Sequence, residues 1–239
     1  MNDKNRVNRI DFSGAFITAY AVHNVDNYPI VNRTVVVNPT MEPVMVAVDP
    51  KKCIPPKSSI ILENVSIVQA EMLILLEVTE RRNLGNIIFE QDWHLLEEIS
   101  PKIQLWKSPQ DAIGRLSFDP RCCTEETAIE EGKEEYTVKV NLWFSSEKTD
   151  CLIHDHHDFI EIHTQIVGLG HMQKFKQKDC SSLYLDELMA EGYTTPVPYC
   201  TCNSKDTSQF EYPWHQYYAE TDCIWMAIEY HPLKKGKCC

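Results

Sequence analysis

The chain has 239 residues, enough for one large domain or two small ones, and its 43% hydrophobic content supports a sizeable buried core. With 8 glycines and 13 prolines, collagen-like and Pro/Gly-rich disordered compositions are excluded. Lys and Arg number 23 against 35 Asp and Glu, and the formal net charge of −12 disfavours phosphate backbones and anionic headgroups, so neither nucleic acid nor a membrane is an expected partner.

In chain order, Met1 to Asp11 is polar and lacks the apolar run of a secretion signal. No later stretch has the roughly 18 apolar residues of a membrane span, and a soluble, cytoplasmic protein is expected. Short β-branched runs follow at Ala15 to Val22, Thr34 to Val37, Val44 to Val48 and Ser59 to Leu62, then the long apolar stretch Val65 to Val78. Prolines 39, 43, 50, 55 and 56 punctuate them. The rhythm predicts antiparallel strands, although Gln69 to Leu76 also fits a helix on periodicity alone. Ile87 to Ile99, with Trp93, Leu95 and Leu96, is the predicted early helix, and the acidic run of residues 124 to 135 reads as a solvated loop or short surface helix.

From Tyr136 the pattern is period-two: Tyr136 to Phe144, Cys151 to His154, Phe159 to Val167, His171 to Phe175, Leu183 to Met189 and Cys223 to Tyr230. A dense strand series after a β-rich first half predicts an all-β sandwich or barrel. Ten cysteines, including Cys200, Cys202 and the terminal Cys238-Cys239, form no paired CxxC framework, and most are read as reduced thiols. Cys200 and Cys202 also allow thiolate ligation or a redox pair.

Five of the nine histidines lie between 154 and 171. In an extended strand alternate side chains share a face, which aligns His154 with His156 and turns His157 outward. Two imidazoles and the carboxylate of Glu161 make a metal site with open positions. His215, opening the run Trp214 to Tyr217, is the candidate third imidazole. His163 shares strand parity with Glu161 and Gln165, and reads as an alternative ligand, an acid/base or a hydrogen-bonded core histidine. Trp214, Tyr217, Tyr218 and Trp225 are read either as core or as an aromatic substrate pocket.

These residues resemble the cupins. The first cupin motif is matched by His154, His156, Glu161 and Gly168, with Lys148 where the motif opens on glycine; the second is matched by Gly192 and Pro198, with its histidine displaced to His215 beyond an inserted segment, Tyr199 to Trp214. The resemblance spans residues 136 to 231. It implies an antiparallel cupin-type β-barrel, or double-stranded β-helix, over 136–239, preceded at 1–135 by a degenerate second barrel or by strands that extend the first. It also implies a divalent ion on His154, His156, His215 and Glu161. Fe(II) or Zn(II) heads the expectation and Mn or Ni are alternatives, with Glu161 and His163 as the catalytic pair. The inserted segment is expected to cover the barrel mouth.

The stretches Glu161 to Phe175 and Tyr212 to Tyr217 further resemble the cupin portions of hydrazine-forming enzymes, which rearrange an ester of an N-hydroxylated amino acid into a nitrogen–nitrogen bond. That likeness implies a small-molecule substrate and a separate amino-acid-activating enzyme as partners, and a homodimer is allowed. The competing classes are a metal-dependent isomerase and a non-catalytic ligand-binding barrel; a closed, fully protein-ligated zinc would favour a structural role.

Overall fold

Runs of β-branched and aromatic residues side by side fold here as strands, and every strand pair among the described residues is antiparallel. The structure is a computed structural model that describes residues 3–90, 92–96, 104–123, 132–195, 200–202 and 209–233. The first seven strands are β1 (Arg6–Arg9), β2 (Ile17–Ile30), β3 (Thr34–Asn38), β4 (Val44–Val46), β5 (Lys52–Ile54), β6 (Ser58–Leu62) and β7 (Val65–Val78). They make one sheet in the order β1-β2-β7-β3-β6, with β4 on β7 and β5 on β4.

Next come β8 (His94–Leu95), β9 (Leu105–Lys107), β10 (Asp111–Phe118), β11 (Glu134–Ser145), β12 (Thr149–Asp150) and β13 (Ile160–Val167). The last six are β14 (Gly170–Phe175), β15 (Leu183–Met189), β16 (Thr201–Cys202), β17 (Phe210–Glu211), β18 (Trp214–Ala219) and β19 (Cys223–Pro232). A second sheet runs β13-β19-β11-β9-β8 with β10 on β11, and a third runs β12-β18-β14-β15.

The apolar continuity of β7 has a simple cause: both of its faces are covered. Met72, Ile74 and Leu76 join a large core shared with Tyr136, Ile162, Trp225 and Ile228, whereas Leu73 and Leu75 face a second core with Val22, Val36, Val44, Ile54 and Ile67. The stretch is strand throughout, so the helical alternative for Gln69 to Leu76 is overturned by cross-strand pairing with β2 and β3. In β13 all eight residues are buried. Its even positions Ile160, Ile162 and Ile166 belong to the core, which leaves the odd positions, Glu161 and His163, on the opposite side.

One expectation changes. In the described part of Ile87 to Ile99, which leaves out residues 91 and 97–99, the expected helix is instead a 3-10 turn, Leu84–Phe89, followed by β8. Tertiary contacts override helix propensity there: Glu90 accepts the backbone N–H groups of Ala15 and Phe16 at 2.6 and 3.2 Å, and β8 pairs with β9. Strands β1 to β7 form their own sheet, but β8, β9 and β10 complete the sheet of β11 and β19. Most of the acidic run, residues 124–131, lies outside the described residues, as do Pro198 and Cys238-Cys239. No helix among the described residues is long and apolar enough to cross a membrane.

Candidate metal centre

The segment between β12 and β13 is held to β18 by a few backbone bonds rather than a full ladder. Cys151 N–H donates to the Tyr217 carbonyl at 2.8 Å, and His154 and His215 exchange backbone bonds at 3.0 and 2.8 Å. Beyond His154 the pairing ends, and with it the alternation that aligned His154 with His156. His156 points to solvent, its side chain 82% exposed beside Asp158, whereas the His157 side chain is 13% exposed. The expected facing of these neighbours is therefore reversed. Three residues on from His154, His157 returns to the same side, and His154, His157 and His215 converge with ligand atoms within 4.8 Å of one another.

The convergence brings nitrogen lone pairs together. His154 Nδ1 donates to the Leu152 carbonyl at 3.0 Å and His215 Nδ1 donates to the Pro213 carbonyl at 2.7 Å. Carbonyls only accept, so both Nδ1 atoms carry the proton and both Nε2 atoms are bare in the neutral rings. His157 Nε2 lies 3.0 Å from His154 Nε2 and 3.3 Å from His215 Nε2. One proton on His157 Nε2 satisfies at most one of these contacts, whereas an ion bound by nitrogens at about 2.0–2.1 Å places its ligands about 3.0–3.4 Å apart. The residues fit a divalent metal, and the two carbonyls supply the orienting outer contacts typical of ligating imidazoles. Burial lowers all three rings, aided by neighbouring imidazoles at His157, which falls to about 2, and by His154 at His215, which falls to about 3; His154 is lowered in the same direction by burial and, more weakly, by Lys178.

From β13, Glu161 extends one carboxyl oxygen to 3.5 Å from His157 Nε2 and the other to 3.5 Å from His163 Nε2. Burial first, then the facing carboxylate of Glu229, pushes Glu161 well above the usual carboxylate range, with Lys107 opposing. Burial and the triad hold His163 well below the usual imidazole range; its ring lies tilted against Tyr217 with centroids 4.2 Å apart. Tyr212 fixes the start of β13: its hydroxyl accepts from the Glu161 N–H at 2.9 Å and donates to the Phe159 carbonyl at 2.8 Å. Its phenolic proton is thereby committed to structure.

Glu229, opposite Glu161 on β19, is held ionised. Burial acts to raise it, but the net shift is downward, through His231, Lys107 and Asn141. Its oxygens accept from Asn141 at 2.9 Å, Gln110 at 2.8 Å and His231 at 2.7 Å.

A cavity of about 230 Å³ opens from this centre, lined by His154, His157, Glu161 and His163 and walled by Trp143, Phe159, Tyr217 and Trp225, with Lys107, Glu229 and Cys151 also at its surface. Of the four aromatic residues weighed from the sequence, Tyr217 and Trp225 line it; Trp214 sits under Lys178 and Tyr218 packs on His171. Burial pushes the Cys151 thiol up to about 12, which makes it inert. Cys200 and Cys202 are buried and do not belong to the triad group.

Sequence reasoning missed Lys107, Trp143, Phe159, Tyr212 and Glu229. For Glu229 a signal existed, a lone acid in the apolar run Cys223 to Tyr230. Lys107 and Trp143 reach the site only because β9 pairs with β11. The motif turns keep their conformation: Lys148, where glycine was expected, holds a positive φ of 58°, and Gly168 and Gly192 hold 85° and 77°.

No protein-family model matches the chain, and a search of curated proteins finds no match either. Among solved structures, a mutant of Bacillus subtilis oxalate decarboxylase is similar at 7% identity and a TM-score of 0.34, over 92% of this chain and 70% of that one. A cupin 2 conserved barrel domain protein from Leptotrichia buccalis is similar at 11% identity and 0.29, over 96% and 91%. Oxalate oxidase in complex with the substrate analogue glycolate is similar at 13% identity and 0.26, over 50% of each chain. At this distance likeness carries no argument about the chain's fold or chemistry.

Proposed function

We propose that the chain is a metal-dependent enzyme of cupin type acting on a small molecule, with the ion held by His154, His157 and His215. One observation carries the reading: three convergent imidazole nitrogens with fixed tautomers open onto a cavity that also holds a carboxyl group and a fourth imidazole. Only three protein ligands group together among the described residues, and three ligands beside a cavity is the pattern of catalytic rather than structural sites. A divalent ion there supplies Lewis-acid polarisation of a substrate oxygen or, as Fe(II), dioxygen chemistry.

The chain's own residues position and move a proton. Burial and the facing Glu229 raise Glu161 well above its ordinary range in the metal-free protein, which favours its protonated form. His163, whose Nε2 lies 3.5 Å from Glu161 Oε1 and whose ring is held well below the usual imidazole range, is the neighbouring base. The aromatic walls exclude water around the pair. Within this class we assign oxidative or rearrangement chemistry, with nitrogen–nitrogen bond formation on an N-hydroxylated amino-acid ester as the specific reading. Its support is the resemblance of residues 161–175 and 212–217, which contribute Glu161, His163 and Tyr217 to the cavity and His215 to the triad.

The test is elemental analysis of protein made without added metal, followed by turnover of N-hydroxylated amino-acid esters under air and under nitrogen. About one ion per chain with turnover is expected; bound metal without turnover of any oxidisable or rearranging substrate overturns the enzyme reading in favour of a binding barrel, and protein without metal overturns both.

A further inference from the structure

We propose that the cavity selects substrates by a carboxylate, bound by Lys107, while another atom of the same molecule faces the histidine triad; the inference rests on the metal-centre reading above and narrows its substrate class. Lys107 ends β9 and lines the cavity together with the triad residues His154 and His157. Its Nζ lies over the Trp143 ring, 5.0 Å from the centroid, and among the described residues no carboxylate comes within ion-pairing distance of it. An aromatic face offsets only part of a half-buried ammonium's lost hydration, so a counter-charge is missing at this wall.

The nearby Glu229 does not supply it. Glu229 also lines the cavity and its charge couples to Lys107, but both of its oxygens are taken by Asn141, Gln110 and His231 and it makes no direct ion pair with the lysine. Lys107 is thus the cationic side chain at the cavity that no carboxylate among the described residues pairs directly. The other walls are aromatic and suit a short apolar body between two polar ends. A space of about 230 Å³ equals roughly eight liquid waters at about 30 Å³ each, which limits the enclosed part of the ligand to a compact molecule. The substrate class is therefore a small carboxylate carrying a second, metal-seeking polar group.

The experiment uses the zinc-loaded full chain and two probes of one shape, succinic monohydroxamate and the analogue whose tail carboxylate is a carboxamide. Both present the same metal-seeking hydroxamate; only one carries a charged tail. Binding is followed by quenching of tryptophan fluorescence and by calorimetry. The carboxylate probe should bind about 10-fold or more tightly in the unaltered protein, as expected for a charged hydrogen bond. Lys107→Met should abolish that preference with zinc content and carboxamide affinity unchanged, and Lys107→Arg should keep most of it. Equal affinities in the unaltered protein, or a preference that survives in Lys107→Met, overturn the assignment. The first of these comparisons needs no variant, so it stands even if Lys107→Met fails to fold.

Titration of EDTA-treated protein separates the two readings. A carboxylate preference there, in a protein that binds no zinc, sinks the metal centre and leaves Lys107 as an anion site. Zinc binding with hydroxamate affinity but no tail preference sinks the Lys107 assignment alone.

Discussion

Adjacent imidazoles at 156 and 157 should respond oppositely to substitution. His157→Ala removes one of three converging nitrogens and should weaken metal binding by about 100-fold or more, beyond the 10–100-fold typical of losing an orienting outer contact. His156→Ala removes a solvent-exposed ring and should leave metal content unchanged; equal loss in the two variants, by elemental analysis of folded protein, would refute the triad. A pH effect belongs to the same rings. With folded values of about 2 for His157 and about 3 for His215 against an ordinary 6.5, the unfolded chain binds more protons between those limits. Their contribution to stability is full above about pH 6.5 and is lost as pH falls toward 3 and 2. Urea midpoints of EDTA-treated protein should drop from about pH 7 to about pH 4, and His215→Asn should flatten that slope; an unchanged slope in the variant would count against these rings as its source.

Glu161 runs the other way. Its folded value is raised, so its contribution is full below the ordinary 4.5 and is lost as pH rises through the raised value. Glu161→Gln should therefore raise the Tm of metal-free protein at neutral pH, by about 2–4 °C for each kcal/mol recovered, while weakening metal retention if Glu161 ligates. A lower Tm would mean that the buried carboxylate is better satisfied than its surroundings indicate.

At the scale of elements, the hairpin from β13 to β14 turns on Gly168, and its φ of 85° is one that side chains rarely adopt. A Cβ there would stand 2.1 Å from the Asp222 carbonyl oxygen, and a backbone atom cannot swing aside. Gly168→Ala should cost about 1–3 kcal/mol and loosen the register that carries Glu161 and His163, read as a lower urea midpoint. An unchanged midpoint would show that the turn can relax. Most strands were legible because their local pattern and their tertiary role agree: Val65 to Val78 and Leu183 to Met189 match β7 and β15 end to end. The stretch Cys151 to Asp158 was not, because period-two reasoning assumes a continuous ladder and Leu152 departs from it with a φ of 75°. Ile87 to Ile99 failed for a related reason, since the partners that unmake its helix, Ala15 and Phe16, lie some seventy residues upstream.

For the whole molecule, the large core contains residues from the first sheet and from the half that carries the histidine triad alike, Ile74, Tyr136 and Ile228 among them. Polar contacts cross the same boundary: Ser59 donates to the Gly192 carbonyl at 2.8 Å, and the Tyr230 hydroxyl donates to the Pro39 carbonyl at 2.7 Å. Ile74→Ala, a cavity in the shared core, should cost about 2–5 kcal/mol. Because all five tryptophans lie at or beyond Trp93, outside the sheet of β1 to β7, fluorescence reports the part after that sheet and far-UV circular dichroism reports both. Their unfolding midpoints should coincide and shift together; separate transitions would make the halves independent.

By itself the sequence determined the all-β class and pointed to the two motif glycines and to His154, His215, Glu161 and His163, because those depend on local periodicity and residue chemistry. Tertiary structure decided the third imidazole, the cation and the second carboxylate of the cavity. His157 faces inward because the ladder stops at His154, and Lys107 and Glu229 meet the triad because β9 and β13 reach it through β11 and β19. Such placements are set by long-range strand pairing, which no short window of the chain encodes.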